Sequence, residues 1–196
     1  MTGPVINGLG SAVHLVHMIV AGVLRYGGKA VDATAGNGND TLFLARLVGS
    51  EGQVFAFDIQ AEALLRTREL LERHGAAKQV TLLHAGHEEM DRLVPGPVDA
   101  VIFNLGYLPG GDHTLVTRAE TTIESLKSAI KLLRQGGRIG LVIYTGHPGG
   151  AEECKAVEQF VSGLEGTSFN VIKISFLNRA AHAPVVIIVE KAGGLK

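Results

Sequence analysis

The segment Asn104-Leu105-Gly106-Tyr107-Leu108-Pro109-Gly110-Gly111 places an amide, an aromatic and several helix-hostile residues directly after the apolar run Val98-Asp99-Ala100-Val101-Ile102-Phe103. The apolar run reads as a buried strand. Packing gains nothing from the residues that follow it, whereas the floor of an active site gains a hydrogen-bonding side chain and a ring, suited to holding a nucleophile. A second stretch, Val31-Asp32-Ala33-Thr34-Ala35-Gly36-Asn37-Gly38-Asn39-Asp40, is another strand that opens into a glycine turn and a helix. Gly36 and Gly38 let the backbone turn tightly and approach a ligand without Cβ interference. The helix start beyond them points free N–H groups at the turn, which suits a carboxylate or phosphate.

These residues need elements to position them. Apolar spacing predicts a helix from Ser11 to Tyr26, capped by Ser11 and ended by Gly27-Gly28. Strands are expected over 29–34, 53–57, 80–84, 98–104, 138–144, 169–177 and 184–190, and helices from Asp40 and over 61–74, 121–133 and 151–164. Up to the fifth strand the alternation of strand and helix implies a parallel sheet with helices on both faces. The last two strands are joined by a short loop and must pair antiparallel, because a parallel crossover needs a dozen or more residues. The expected class is therefore α/β: a mostly parallel seven-stranded sheet with an antiparallel C-terminal hairpin. That arrangement resembles the Rossmann-like fold of S-adenosylmethionine-dependent methyltransferases.

Length and composition agree. The 196 residues fit one domain over 1–196, with residues 1–10 expected to be flexible. At 46% apolar and 19% charged, the chain is globular. A net charge of −1 leaves no global basic field, so nucleic acid would have to meet a local patch. Cys154 is the single cysteine, which excludes an internal disulfide and a thiolate zinc cluster and suits a reducing, cytoplasmic compartment. Met1 to Gly10 makes a poor signal peptide, and no run approaches the roughly 20 apolar residues that span a bilayer, so no membrane partner is expected.

The glycine turn by itself is weak evidence. Asp32, at the end of its strand, and Asp58, at the end of the next and twenty residues after Gly38, strengthen it. Asp58 stands where a carboxylate would accept hydrogen bonds from both ribose hydroxyls of a nucleoside. A nicotinamide enzyme wants that acid too, but its fingerprint has a third glycine where Thr41 stands, and Asp32 would repel a pyrophosphate. The same acid could attract the ammonium of a methionine moiety. Turn and capping chemistry is the competing explanation of Asp32 and Asp40. The expected cofactor residues are Asp32, Thr34, Ala35, Gly36, Asn37, Gly38, Asn39, Asp40, Asp58, Ile59, Gln60 and Asn104, with Gly86 and His87 beside the adenine.

Methyl transfer from a sulfonium asks the enzyme to hold the nucleophile close and in line. An amine nucleophile must also keep its lone pair free, which desolvation or a nearby acceptor favours. Asn104 offers its side-chain carbonyl and Leu105 its backbone carbonyl, while Tyr107 could stack on a planar base. The arrangement resembles the Asn-Pro-Pro-Tyr signature of amino-group methyltransferases, with Leu105-Gly106 in place of the prolines. Tyr144 and His147 end the fifth strand on the same sheet edge, Tyr144 to line the pocket and His147 to relay a proton, although a loop histidine is more often a surface residue. Gly110, Gly111, Asp112 and His113 begin a polar segment in the position of a lid. The pairs His14/His17 and His84/His87 lack a third ligand nearby, and no metal site is expected.

The blocks 32–41, Phe57-Asp58-Ile59-Gln60, His87-Glu88, 103–112, Thr121-Thr122 and Tyr144-Thr145-Gly146-His147, with His17 in the first helix, closely resemble the bacterial tRNA methyltransferases that convert 5-aminomethyl-2-thiouridine at the wobble position to its methylaminomethyl form. The resemblance runs from the first helix to Glu190. It implies S-adenosylmethionine as donor, an exocyclic aliphatic amine as acceptor, the tRNA anticodon arm as partner, and a homodimer. It assigns catalysis to Asn104, Tyr107, Tyr144 and His147, and substrate contacts to Leu105, Gly106, Tyr107, Gly110, Gly111, Asp112 and His113. His113 departs from a lysine expected in many members, which puts substrate preference in question. Arg66, Arg68, Arg73 and Lys78 form one basic cluster and Arg118, Lys127 and Lys131 another, although a solvated helix face would look the same. A small-molecule amine or an rRNA base remains an alternative acceptor on this fold, and a non-catalytic RNA-binding module is a further reading.

Overall fold

A computed structural model of the protein describes residues 9–108, 110, 116–179 and 183–193. Its strands are β1 (Lys29–Asp32), β2 (Gln53–Asp58), β3 (Val80–His84), β4 (Val98–Leu105), β5 (Leu133–Ile143), β6 (Phe169–Ile174) and β7 (Val185–Lys191). Its helices are α1 (Ala12–Ala21), α2 (Asn39–Val48), α3 (Ala61–Arg73), α4 (Met90–Leu93), α5 (Ala119–Leu132) and α6 (Gly150–Ser162). One sheet runs in the order β3-β2-β1-β4-β5-β7-β6. The first five strands pair parallel, and β7 lies antiparallel to both β5 and β6. The expected class and closing hairpin are both present. Among the described residues, no helix is long and apolar enough to cross a membrane.

Alternation along the strands assigns their side chains to two faces. Val31, Phe55, Phe57, Val101 and Phe103 pack with Met90, Leu126 and Val157 on the α4–α6 face. Ala30, Val54, Ala100 and Ile102 pack with Val16, Val20, Leu44 and Leu71 on the α1–α3 face. Phe57 and Phe103 are fully buried just behind the strand ends, each worth roughly 1.5–3 kcal/mol of hydrophobic stabilisation. Asp32 and Asn104 follow the parity of Ala30 and Ile102, so both turn toward α1 and α2.

The first helix is shorter than its apolar pattern. Gly22 is the C-cap, where the pattern predicted helix to Tyr26. Arg138 Nη1 donates to the Ile19 carbonyl at 2.8 Å and Arg134 Nη2 to the Val23 carbonyl at 2.9 Å, satisfying acceptors at and beyond the helix end. The helix lies close on β5 because Gly140 has no side chain: a Cβ there would stand 2.4 Å from Val16 Cγ1. Two more departures are local. A single 3-10 turn (His87–Glu89) and α4 occupy a stretch to which the sequence pattern assigned no element, and β6 stops at Ile174, three residues before its expected end at Leu177. Cys154, on α6, is buried.

Candidate active site

Strand order reverses between β1 and β4, and in open α/β sheets the crevice beyond such a point takes the ligand. A cavity of about 520 Å³ lies there, lined from the ends of β1, β2, β3, β4 and β5. Thr34, Ala35, Gly36, Asn37, Asn39 and Asp40 line it from the loop after β1 and the start of α2. The loop is pinned to β2: Ala35 N donates to the Phe57 carbonyl at 2.8 Å, and Gly36 N to Asp58 Oδ2 at 2.9 Å. Gly38 (φ +82°) caps α2 but is buried and does not reach the cavity. Its missing Cβ is needed elsewhere, because that atom would stand 2.9 Å from Thr67 Cα on α3.

Asp32 does not meet the cavity, contrary to the expectation that it would receive an ammonium. It is fully buried beneath the floor. Thr41 Oγ1 donates to one oxygen at 2.6 Å and Thr34 N to the other at 3.1 Å. Asp32 therefore ties the start of α2 to the end of β1. Burial, reinforced by the neighbouring Asp40 charge, pushes its carboxyl up to about 7. Because that lies above the unfolded carboxylate value, the folded chain binds the extra proton between the two. The resulting stability is fully present below roughly pH 4 and is lost as pH rises through about 7. Asp32→Asn keeps the shape and removes the proton equilibrium. Thermal unfolding at pH 5 and pH 8 is expected to show the wild type losing more stability than this variant; equal losses would place Asp32 in the ionised form throughout.

Asp58 lines the cavity from the end of β2, with Gln60 N donating to its Oδ1 at 2.9 Å. Ile59 and Gln60 continue the wall, and Ile59 is exposed. Gly86 and His87 close the β3 side. His87 is buried, with Nδ1 3.2 Å from the Ala33 carbonyl. A carbonyl only accepts, so Nδ1 carries the proton, and burial lowers the ring's pKa and keeps it neutral.

Asn104 lines the cavity from the end of β4, and its backbone N donates to Thr34 Oγ1 at 2.8 Å. Its Nδ2 donates to Asp40 Oδ2 at 3.2 Å, which leaves Oδ1 as the acceptor available to a ligand. Gly106, Tyr107 and Tyr144 line the mouth, with Tyr107 and Tyr144 about 40% exposed (43% and 39%). Burial, and then the Asp40 charge, raise the Tyr144 pKa and keep the phenol protonated.

Other expected residues stand elsewhere. Leu105 is fully buried and is not among the lining residues, and one lone pair of its carbonyl accepts from Tyr144 N at 3.1 Å. His147 does not line the cavity. It lies behind the wall with its ring edge-on to Tyr107 (centroids 6.2 Å apart), Nδ1 3.0 Å from the Pro148 carbonyl, and Nε2 buried without a partner. This placement does not favour a proton relay into the cavity. Gly110 is outside the lining, its carbonyl 3.4 Å from Arg66 Nη2. Gly111, Asp112 and His113 lie outside the described residues, as do residues 1–8 of the expected flexible stretch.

The polar segment expected in the position of a lid runs on through Arg118 and Thr121-Thr122, and this end of it contributes to the site. Thr117 and Arg118 line the cavity from the segment leading into α5, and Thr121 from its first turn. Thr117 N donates to the Gly106 carbonyl at 3.0 Å, and Thr117 and Thr122 both donate to the buried carboxylate of Glu153 at 2.7 Å. Thr117 and Glu153 were not foreseen. Glu153, an acid in the first turn of a helix, reads in sequence like any solvated residue.

The "Putative rRNA methylase" family model matches residues 54–190. A chloroplastic tRNA (mnm(5)s(2)U34)-methyltransferase of Arabidopsis thaliana is 41% identical over 190 residues, covering 92% of this chain and 69% of the relative. Two crystal structures superpose closely. One, from Clostridium thermocellum and bearing the same description as the family, has a TM-score of 0.91 at 43% identity and covers 94% of this chain and 99% of its own. The other, from Streptococcus mutans and in complex with SAH, has a TM-score of 0.85 at 37% identity with the same coverage of both chains.

Proposed function

This chain belongs to the rRNA methylase family matched over residues 54–190, and from that premise we propose that it is an S-adenosylmethionine-dependent N-methyltransferase acting on the 5-aminomethyl group of wobble 2-thiouridine in tRNA. The observation that carries this reading is the single cavity shared by Asp58 and by an Asn104 amide whose nitrogen is already committed to Asp40. The relative from Arabidopsis thaliana bears the same activity in its name and supports the choice of acceptor.

The residues present fit the donor. Asp58 is a carboxylate at a strand end for ribose hydroxyls. Gly36 and the free N–H groups of the α2 start suit the methionine carboxylate, and Gly86 and His87 form a wall for the adenine. When bound, S-adenosylmethionine supplies an electrophilic methyl group on a sulfonium. Asn104 Oδ1 accepts one N–H of the incoming amine and so aims its lone pair at the space above the glycine loop. Tyr107 and Tyr144 flank the base and exclude water. The anticodon arm would lie over this mouth, where Arg118 lines the rim and Arg66 reaches Asn37 and Gly110, and the protein would work in the cytoplasm as a homodimer.

Incubating the protein and labelled donor with tRNA that lacks the terminal methyl group, then digesting to nucleosides for mass spectrometry, tests the proposal. Methylaminomethyl-2-thiouridine is the expected product. Label found only in rRNA, in a free amine, or in nothing would overturn it; the rRNA arm is included because of the family's description.

A further inference from the structure

His17 is not among the cavity-lining residues, yet two contacts fix it toward the site. Its Nε2 lies 2.6 Å from Asp40 Oδ1, and its ring is stacked on Phe43 with centroids 3.7 Å apart and planes 2° from parallel. The other Asp40 oxygen accepts from Asn104 Nδ2 at 3.2 Å. Three elements meet in this chain of contacts: α1 supplies the imidazole, α2 the carboxylate and β4 the amide. Asp40 is buried, so water does not compete freely for its lone pairs.

From this geometry we infer that His17 is a positioning residue for methyl transfer, acting on Asn104 through Asp40. A carboxylate has acceptors only, so His17 must donate through Nε2–H and Asn104 through Nδ2–H. An amide turned over by half a revolution would set its oxygen against the Asp40 oxygens. Asp40 therefore dictates which end of the Asn104 amide faces the ligand. The His17 hydrogen bond fixes the Asp40 rotamer that does so, and the stack on Phe43 fixes the imidazole. Two other ionisable groups, Asp32 and Tyr144, feel the Asp40 charge. Neither is bonded to Asp40 in its place. The inference rests on the proposed function for its kinetic consequence but not for the contact itself.

Two substitutions separate donation from packing. His17→Phe keeps an aromatic ring on Phe43 and loses the donor. His17→Gln loses the ring and keeps a donor at the position of Nε2. With tRNA as acceptor, His17→Phe is expected to lower kcat by about tenfold or more with KM for the donor within about threefold, and His17→Gln to recover most of the loss. Full activity in His17→Phe, or equal losses in both variants, would overturn the inference. A second readout needs no turnover: the side-chain amide resonance of Asn104, assigned by its disappearance in Asn104→Ala, should shift in His17→Phe and stay near its wild-type position in His17→Gln. If the wild type methylates no tRNA, the proposed function fails. The resonance still decides the positioning role, and an unmoved signal in both variants would refute it.

Discussion

Asn104→Ala is expected to lower turnover by roughly 100-fold while donor affinity stays within about threefold, since a nucleophile left without its orienting acceptor loses alignment rather than binding. The asymmetry follows from how the residue is held. Its backbone N–H is spent on Thr34 and its Nδ2 on Asp40, so the only group the substitution takes from the ligand is Oδ1. The variant keeps the strand and its bond to Thr34. Single-turnover methylation and calorimetry with the donor, measured side by side, check the split. A parallel fall in both would mean that the loop after β1 had collapsed and that Asn104 is structural.

The second large effect is expected at Asp58. Asp58→Ala should weaken donor binding by roughly 3 kcal/mol, about 100-fold, the scale of losing charge-assisted hydrogen bonds to two hydroxyls. Part of that loss comes from the protein itself. Asp58 holds the Gly36 and Gln60 backbone N–H groups at 2.9 Å each, so alanine frees the glycine loop as well as the ribose. Asp58→Asn offers one acceptor oxygen where the acid offers two, and should fall between. Unchanged affinity in the alanine variant would remove Asp58 from the cofactor site.

The sequence exposes those parts of the site that depend on local pattern. The strand ends at Asp58 and Asn104, the glycine turn and the switch from parallel to antiparallel pairing each follow from a periodicity or a short spacing, and all are found as expected. What the sequence conceals depends on contacts between distant segments. Asp32 and Asp58 look equivalent as acids ending adjacent strands, but Thr41 closes over the first and the cavity opens on the second. The early end of α1 is decided by Arg134 and Arg138, more than a hundred residues downstream. His17 and Asp40 are 23 residues apart, at no helical or strand repeat, and only the seating of α1 against the sheet brings them together. Leu105 is hidden for a simpler reason: its carbonyl takes part in the pairing of β4 with the end of β5.

The helix that carries His17 rests on β5 and also on β7, so the earliest described element of the polypeptide is seated by the final strand. During synthesis the ribosome releases α1 first and β7 last. The full support under the imidazole is therefore complete only when the last strand is in place. A chain shortened before Val185 keeps every residue named in the pocket and is expected to hold α1, and with it His17, less firmly.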